Sequence, residues 1–197
     1  MDAREYWGQG LSYDQYLAQM TIRSDEYREN FASTDIDNET IQVFSGRDLR
    51  FLVITEDWCG DSSQFVPAVA RLASQLDNAE IRFLLRPDVR ELADQYRDGS
   101  GRQPIPVIIV MDENGTELGA LLERPGAVTE QMAAETIRFA SENSRLEGIR
   151  RSYANMPEET KSAVSDNIST WRSARQEEFV RLLFEELASI VRAPAAA

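Results

Sequence analysis

Histidine is missing altogether from the 197 residues, while cysteine and lysine occur once each, at Cys59 and Lys161. Without an imidazole there is no histidine triad, no His-ligated metal and no His proton shuttle. A single thiol can close no intramolecular disulfide and can supply neither a zinc cage nor an iron–sulfur cage. Carboxylates alone can hold a hard cation, but no calcium loop with its central Gly and terminal Glu occurs. Neither a metal nor a resident cofactor is expected. No apolar run approaches the ~20 residues that cross a bilayer, and Met1-Asp2-Ala3-Arg4-Glu5-Tyr6-Trp7 lacks an apolar secretory core. The expectation is a cytoplasmic protein with no membrane contact. Basic residues are also scarce, 21 against 34 acidic ones, and the net charge of −13 would repel phosphate backbones. Nucleic acid is therefore not an expected partner. Nucleotide chemistry is not expected either, because there is no Gly-rich strand-to-helix fingerprint and no Walker loop.

What the chain does contain is an ordered alternation of patterns. Residues 1–45 read as a polar, helical N-terminal extension, with Ser12 and Gln15 spaced as a capping box. Phe51-Leu52-Val53-Ile54-Thr55 is a short, continuously apolar run, as in a strand covered on both faces. Phe65, Val69, Leu72 and Leu76 then recur at helical spacing, interrupted by Pro67, which predicts a kinked helix. Ile81–Leu85 is a second strand, and Asp88 with Glu91 predicts a capped helix to about Arg97. Gly99-Ser100-Gly101 is a loop, Val107–Met111 a third buried strand, and Asp112-Glu113-Asn114-Gly115 a hairpin turn before an antiparallel strand to Glu123. The order strand, helix, strand, helix, strand, hairpin, strand implies an α/β fold with a central mixed sheet over residues 46–126. Residues 127–197 form a C-terminal helical extension, first to about Arg150 and then from Pro157 towards Val191. Its stripe of Val164, Ile168, Trp171, Phe179, Leu182, Leu187 and Ile190 either packs on the same chain or forms a homodimer interface. The length of the chain favours one globular unit.

The strand Phe51–Thr55, the turn Trp58-Cys59-Gly60, the helix after it and the Ile105-Pro106 pair before another strand resemble the thioredoxin family over about residues 45–125. That resemblance implies a thioredoxin-like fold with added helices at both termini. It places Cys59 at a reactive helix N-terminus, Pro67 as the kinking proline of the helix that follows, and Pro106 in a cis bond facing the thiol. Thr55-Glu56-Asp57-Trp58-Cys59-Gly60-Asp61 and Asp94-Gln95-Tyr96 look like a bacterial subgroup with helical extensions that often lacks the second cysteine. Ser62 stands where the family has its resolving Cys, and Val53 where it has a buried acid, so a dithiol cycle cannot run within this chain.

The candidate chemistry follows from Cys59. A thiol at the first turn of a helix faces backbone N–H groups that favour the thiolate, the nucleophilic form. Ser62 is positioned to donate a hydrogen bond to the sulfur, whereas Asp61 and Asp57 oppose negative charge there. Cys59 and Ser62 are thus the candidate catalytic residues, and Trp58, Gly60, Asp61, Ile105 and Pro106 the candidate substrate-binding ones. Arg102 either meets the carboxylates of a small thiol or is a solvated loop residue. The expected function is monothiol thiol–disulfide exchange on protein disulfides or on mixed disulfides with a low-molecular-weight thiol, that thiol acting as co-substrate. The alternative is a redox-inactive binding module that uses the same groove to hold a protein partner.

Overall fold

The computed structural model describes residues 2–193. After a 3-10 turn at Ala3–Gln9, helix α1 (Tyr13–Gln19) begins at Ser12. Ser12 Oγ accepts from the Gln15 backbone N–H at 3.2 Å and Gln15 Oε1 from the Ser12 N–H at 2.8 Å. Two otherwise orphaned donors are thereby satisfied reciprocally. Helices α2 (Ser24–Ser33) and α3 (Asn38–Phe44) follow. The latter is capped by Asp37, which accepts from Thr40 N–H at 2.6 Å.

Strand β1 (Leu49–Thr55) is the apolar run anticipated above and is buried along nearly its whole length. Helix α4 (Gly60–Ser74) starts at Cys59 and runs unbroken through Pro67. Strand β2 (Ala79–Leu85) leads into a 3-10 turn, Arg86–Val89, and the four-residue helix α5 (Arg90–Ala93). The expected helix capped by Asp88 is not formed. Pro87, with its fixed φ, starts the turn earlier, so Asp88 lies inside the 3-10 segment and caps nothing. Strands β3 (Val107–Met111) and β4 (Glu117–Leu122) form the hairpin, and Asp112 Oδ1 accepts from the Asn114 and Thr116 N–H groups at 2.8 Å each to close its loop. Gly115 supplies the positive φ of 78° that the loop needs.

The sheet order is β2-β1-β3-β4, with β1 parallel to β2 and the other pairings antiparallel. Alternation along β1 sends Leu52 and Ile54 into a cluster with Leu84, Leu92, Val107 and Ile109. Phe51, Val53 and Thr55 therefore take the opposite face. There Phe83 of β2 stacks on Tyr16 with ring centroids 5.1 Å apart. The free edge of β2 is shielded by Leu11, which exchanges two 2.9 Å backbone hydrogen bonds with Phe83.

After the sheet the chain forms α6 (Gly126–Glu142), α7 (Glu158–Ser173) and α8 (Gln176–Arg192). The continuous helical pattern from Pro157 to Val191 is broken after Ser173. The reason is packing: Trp171 and Phe179 have ring centroids 5.2 Å apart. A straight helix would carry the second of these residues about 12 Å beyond the first. Within α8, Phe179, Val180, Leu183, Phe184, Leu187 and Val191 are buried at helical spacing. Two compact units are distinguished. One comprises residues up to Pro125 with those from Leu183 onward, and the other is Gly126–Leu182. In the second, the buried Glu135 carboxylate of α6 accepts from Arg138 and from Asn167 Nδ2 of α7 at 2.8 Å. In the first, Arg47 donates to the Val191 carbonyl at 2.6 Å and so satisfies an orphan carbonyl of the last turn of α8. Among the described residues no helix is long and apolar enough to cross a membrane.

Candidate functional site

Where β1 runs out of apolar residues the chain turns through Glu56-Asp57-Trp58, and Cys59 becomes the residue that precedes α4. Cys59 has extended dihedrals, its N–H donates to the Glu56 carbonyl at 3.3 Å, and its own carbonyl receives the Ser63 N–H at 3.1 Å. The Cys59 side chain itself makes no capping hydrogen bond to this helix start. Only 7% of Cys59 is exposed, and its thiol donates to the Ile105 carbonyl at 3.3 Å. The Ile105–Pro106 peptide is cis. Cys59, Ile105 and Pro106 are thus brought together from distant parts of the sequence, along with the Gly60-Asp61-Ser62 turn.

The neighbours divide by exposure. Trp58 is 51% exposed, with the Arg86 guanidinium 5.5 Å from its ring centroid. Ser62 is fully buried and its Oγ has no hydrogen-bond partner, so the bond to sulfur considered above is not made by the protonated thiol. Asp61 is held by Arg124, which donates from Nε to Oδ1 at 3.1 Å and from Nη2 to Oδ2 at 2.6 Å. Arg124 also pairs with Glu123. Although burial disfavours its charge, the hydrogen bond and charge of Asp61, with Glu123 behind, push the Arg124 guanidinium above its ordinary range, so it remains a cation. Asp57 turns away from the thiol: its Oδ2 accepts from Thr21 N–H at 2.8 Å, Thr21 Oγ1 at 2.9 Å and Ile22 N–H at 3.3 Å. Burial alone would raise the Asp57 carboxyl, but these hydrogen bonds outweigh it and hold the group below the usual carboxylate range. Arg102 donates from Nε to Asp98 at 2.8 Å and also lies 3.8 Å from the Glu123 carboxylate.

Three features have no clear mark in the sequence. Arg124 lies 63 residues from Asp61, and only the need of a partly buried carboxylate for a cation hints at it. Glu123 adopts φ of 64° and its N–H donates to the Pro106 carbonyl at 2.7 Å. Such a φ is uncommon for a residue with a Cβ, and nothing in Leu121-Leu122-Glu123 signals it. Helix α2 is fastened to the first turn of α4, with Ser63 Oγ donating to Glu26 Oε1 at 2.7 Å and Asn30 Nδ2 to the Ser63 carbonyl at 2.8 Å. Among the described residues no cluster of three or more His, Cys, Asp or Glu side chains is arranged to hold a metal ion. A separate open cleft lined by Arg47, Asp48, Asn78, Asp112 and Glu113 sits at the opposite end of β1 from Cys59.

The profile of the family described as Thioredoxin matches residues 10–139. Among solved structures, an HIV epitope scaffold superposes with a TM-score of 0.66 at 16% identity, covering 99% of this chain and 100% of that one. A protein of unknown function from Pseudomonas aeruginosa gives a TM-score of 0.58 at 17% identity, covering 88% of this chain and 99% of its own. Likeness at such identities concerns the fold alone. No curated protein matches the chain.

Proposed function

The chain belongs to the thioredoxin family, and from that premise we propose that it is a monothiol thiol–disulfide exchange protein with Cys59 as nucleophile. The observation that carries this reading is the placement of Cys59 at the N-terminal start of α4, beside the Ile105 carbonyl, with the carboxylate of Asp61 in the same turn paired to Arg124. The Cys59 thiolate attacks one sulfur of a substrate disulfide. A Cys59–substrate disulfide forms, the substrate S–S bond breaks, and the leaving thiolate takes a proton from solvent. A low-molecular-weight thiol, as its thiolate, then attacks the mixed disulfide, joins the substrate sulfur and releases the Cys59 thiolate. The second sulfur comes from solution because Ser62 occupies the place of a resolving cysteine. Before attack the S–H must leave the Ile105 carbonyl, and the unpartnered Ser62 hydroxyl is a donor ready for the charged sulfur.

Exposed Trp58 and the Ile105–Pro106 backbone would contact the substrate, with Gly60 and Asp61 forming the floor. We place the chain among bacterial family members with Trp-Cys-Gly-Asp and helical extensions, acting in the cytoplasm. The test is exchange with a glutathionylated peptide in the presence of glutathione. Cys59→Ser is expected to abolish it, and exchange surviving in that variant would overturn the reading. A second reading, a binding module without redox chemistry, draws on the near-complete burial of Cys59 beside half-exposed Trp58. It predicts partner binding that Cys59→Ser leaves unchanged.

A further inference from the structure

Strand β4 ends in a strained turn. Glu123, the residue after Leu122, has φ of 64°, and the Arg124 N–H donates across it to the Leu122 carbonyl at 2.8 Å. A three-residue turn closed around a positive φ is the rare form of the γ-turn, and a side chain with a Cβ is strained there. Glycine would adopt it freely, yet the position holds glutamate. Backbone strain of this kind persists only where surrounding contacts impose it, and it gathers at functional sites. The imposing contacts are two. The Glu123 N–H donates to the Pro106 carbonyl at 2.7 Å, one residue beyond the last β3–β4 pair, Val107 with Leu122. Arg124 holds Asp61 through two donors, the two side chains being 15% and 11% exposed.

These contacts complete a ring around the candidate site. The Cys59 thiol meets the Ile105 carbonyl at 3.3 Å, Pro106 meets Glu123, Arg124 meets Asp61, and Asp61 returns to Cys59 through the first turn of α4. One of these links cannot survive the chemistry. An ionised Cys59 has no proton to donate, and its negative sulfur would face the partial negative charge of the Ile105 oxygen. The links through Glu123 and Arg124 leave the sulfur out and persist when it is charged. We propose that the Glu123–Arg124 turn is a clasp that keeps the Cys59 turn in register with the Ile105–Pro106 backbone once the thiol has ionised. Glu123 acts in it as a positioning residue through its backbone. Its carboxylate, 29% exposed, meets Arg124 and lies 3.8 Å from Arg102, a partly solvated pairing of small effect.

The clasp rests on the exchange reading, in which Cys59 works as a thiolate, and one experiment separates the two. Single-turnover exchange with a glutathionylated peptide, from limiting to saturating concentration, is measured for wild type, Glu123→Gly and Glu123→Val. Thermal unfolding is recorded alongside, so that rates are compared among folded proteins. Glycine adopts positive φ and keeps the N–H, so Glu123→Gly is expected to stay within about twofold of wild type although it lacks the carboxylate. Valine resists that φ. Glu123→Val is expected to lower the saturating rate about tenfold, with little change in the half-saturating concentration, because misaligned reacting groups slow the chemical step. A folded Glu123→Val that exchanges as fast as wild type would overturn the clasp and leave the exchange reading intact. So would a Glu123→Gly as slow as Glu123→Val, which would assign the effect to the carboxylate. Wild type without exchange would sink both. Should Glu123→Val fail to fold, Glu123→Ala takes its place, a slowed rate supporting the clasp and an unchanged one rejecting it.

Discussion

At the scale of single residues, the site is a balance of charge around one sulfur. Asp61 alone would oppose a thiolate, and the bidentate Arg124 contact cancels it. Replacing Arg124 by Met removes this cation from Asp61. The Cys59 alkylation midpoint should then rise by about one pH unit, and adding Asp61→Asn should restore it. Failure of the double variant to recover would mean that Arg124 acts by packing and not by charge. Cys59, Ser62, Trp58 and Pro106 are legible in the sequence because each belongs to a short pattern of fixed spacing. Arg124 is not. Its pairing with Asp61 is a contact that chain topology creates, and a lone Arg after a strand carries no local mark of it.

At the scale of elements, legibility follows the locality of the signal. The Ser12–Gln15 box and the Asp112–Gly115 turn depend on residues close together in sequence, and both elements form as their residue types require. The Asp88 cap has the same spacing as the box yet does not form, because Pro87 begins the turn first. The break between α7 and α8 has neither Pro nor Gly to announce it and follows from Trp171 packing on Phe179. Close approach is equally invisible in sequence. A Cβ on Gly119 of β4 would come 2.9 Å from Ile190 Cγ2 of α8, nearer than side chains tolerate. Gly119→Ala is therefore expected to destabilise the protein by about 1–3 kcal/mol, seen as a lower denaturant midpoint. An unchanged midpoint would show that the end of α8 yields at that contact.

At the scale of the whole molecule, the fold class is readable because the alternation of strands and helices, with one hairpin, admits few sheets. The strand order β2-β1-β3-β4 is legible only in part: the continuously apolar β1 reads as an inner strand, which it is, whereas nothing local says which strands flank it. The fastening of α8 by Arg47, whose partner carbonyl lies 144 residues away, is not legible. What the fold accomplishes at this site is to place one thiol at a helix start, beside the Ile105 carbonyl, with the Asp61 carboxylate of the same turn paired to Arg124. If Cys59 works as the nucleophile of the exchange proposed here, its reactivity should depend on the folded chain and be lost on unfolding. The most direct measurement is the pH dependence of Cys59 alkylation by iodoacetamide in the native protein and in the same chain unfolded by guanidinium chloride. The expected native midpoint is at least about one unit below the unfolded one, with fast reaction at neutral pH. A native midpoint equal to or above the unfolded one would contradict activation and leave the binding module as the function of this fold.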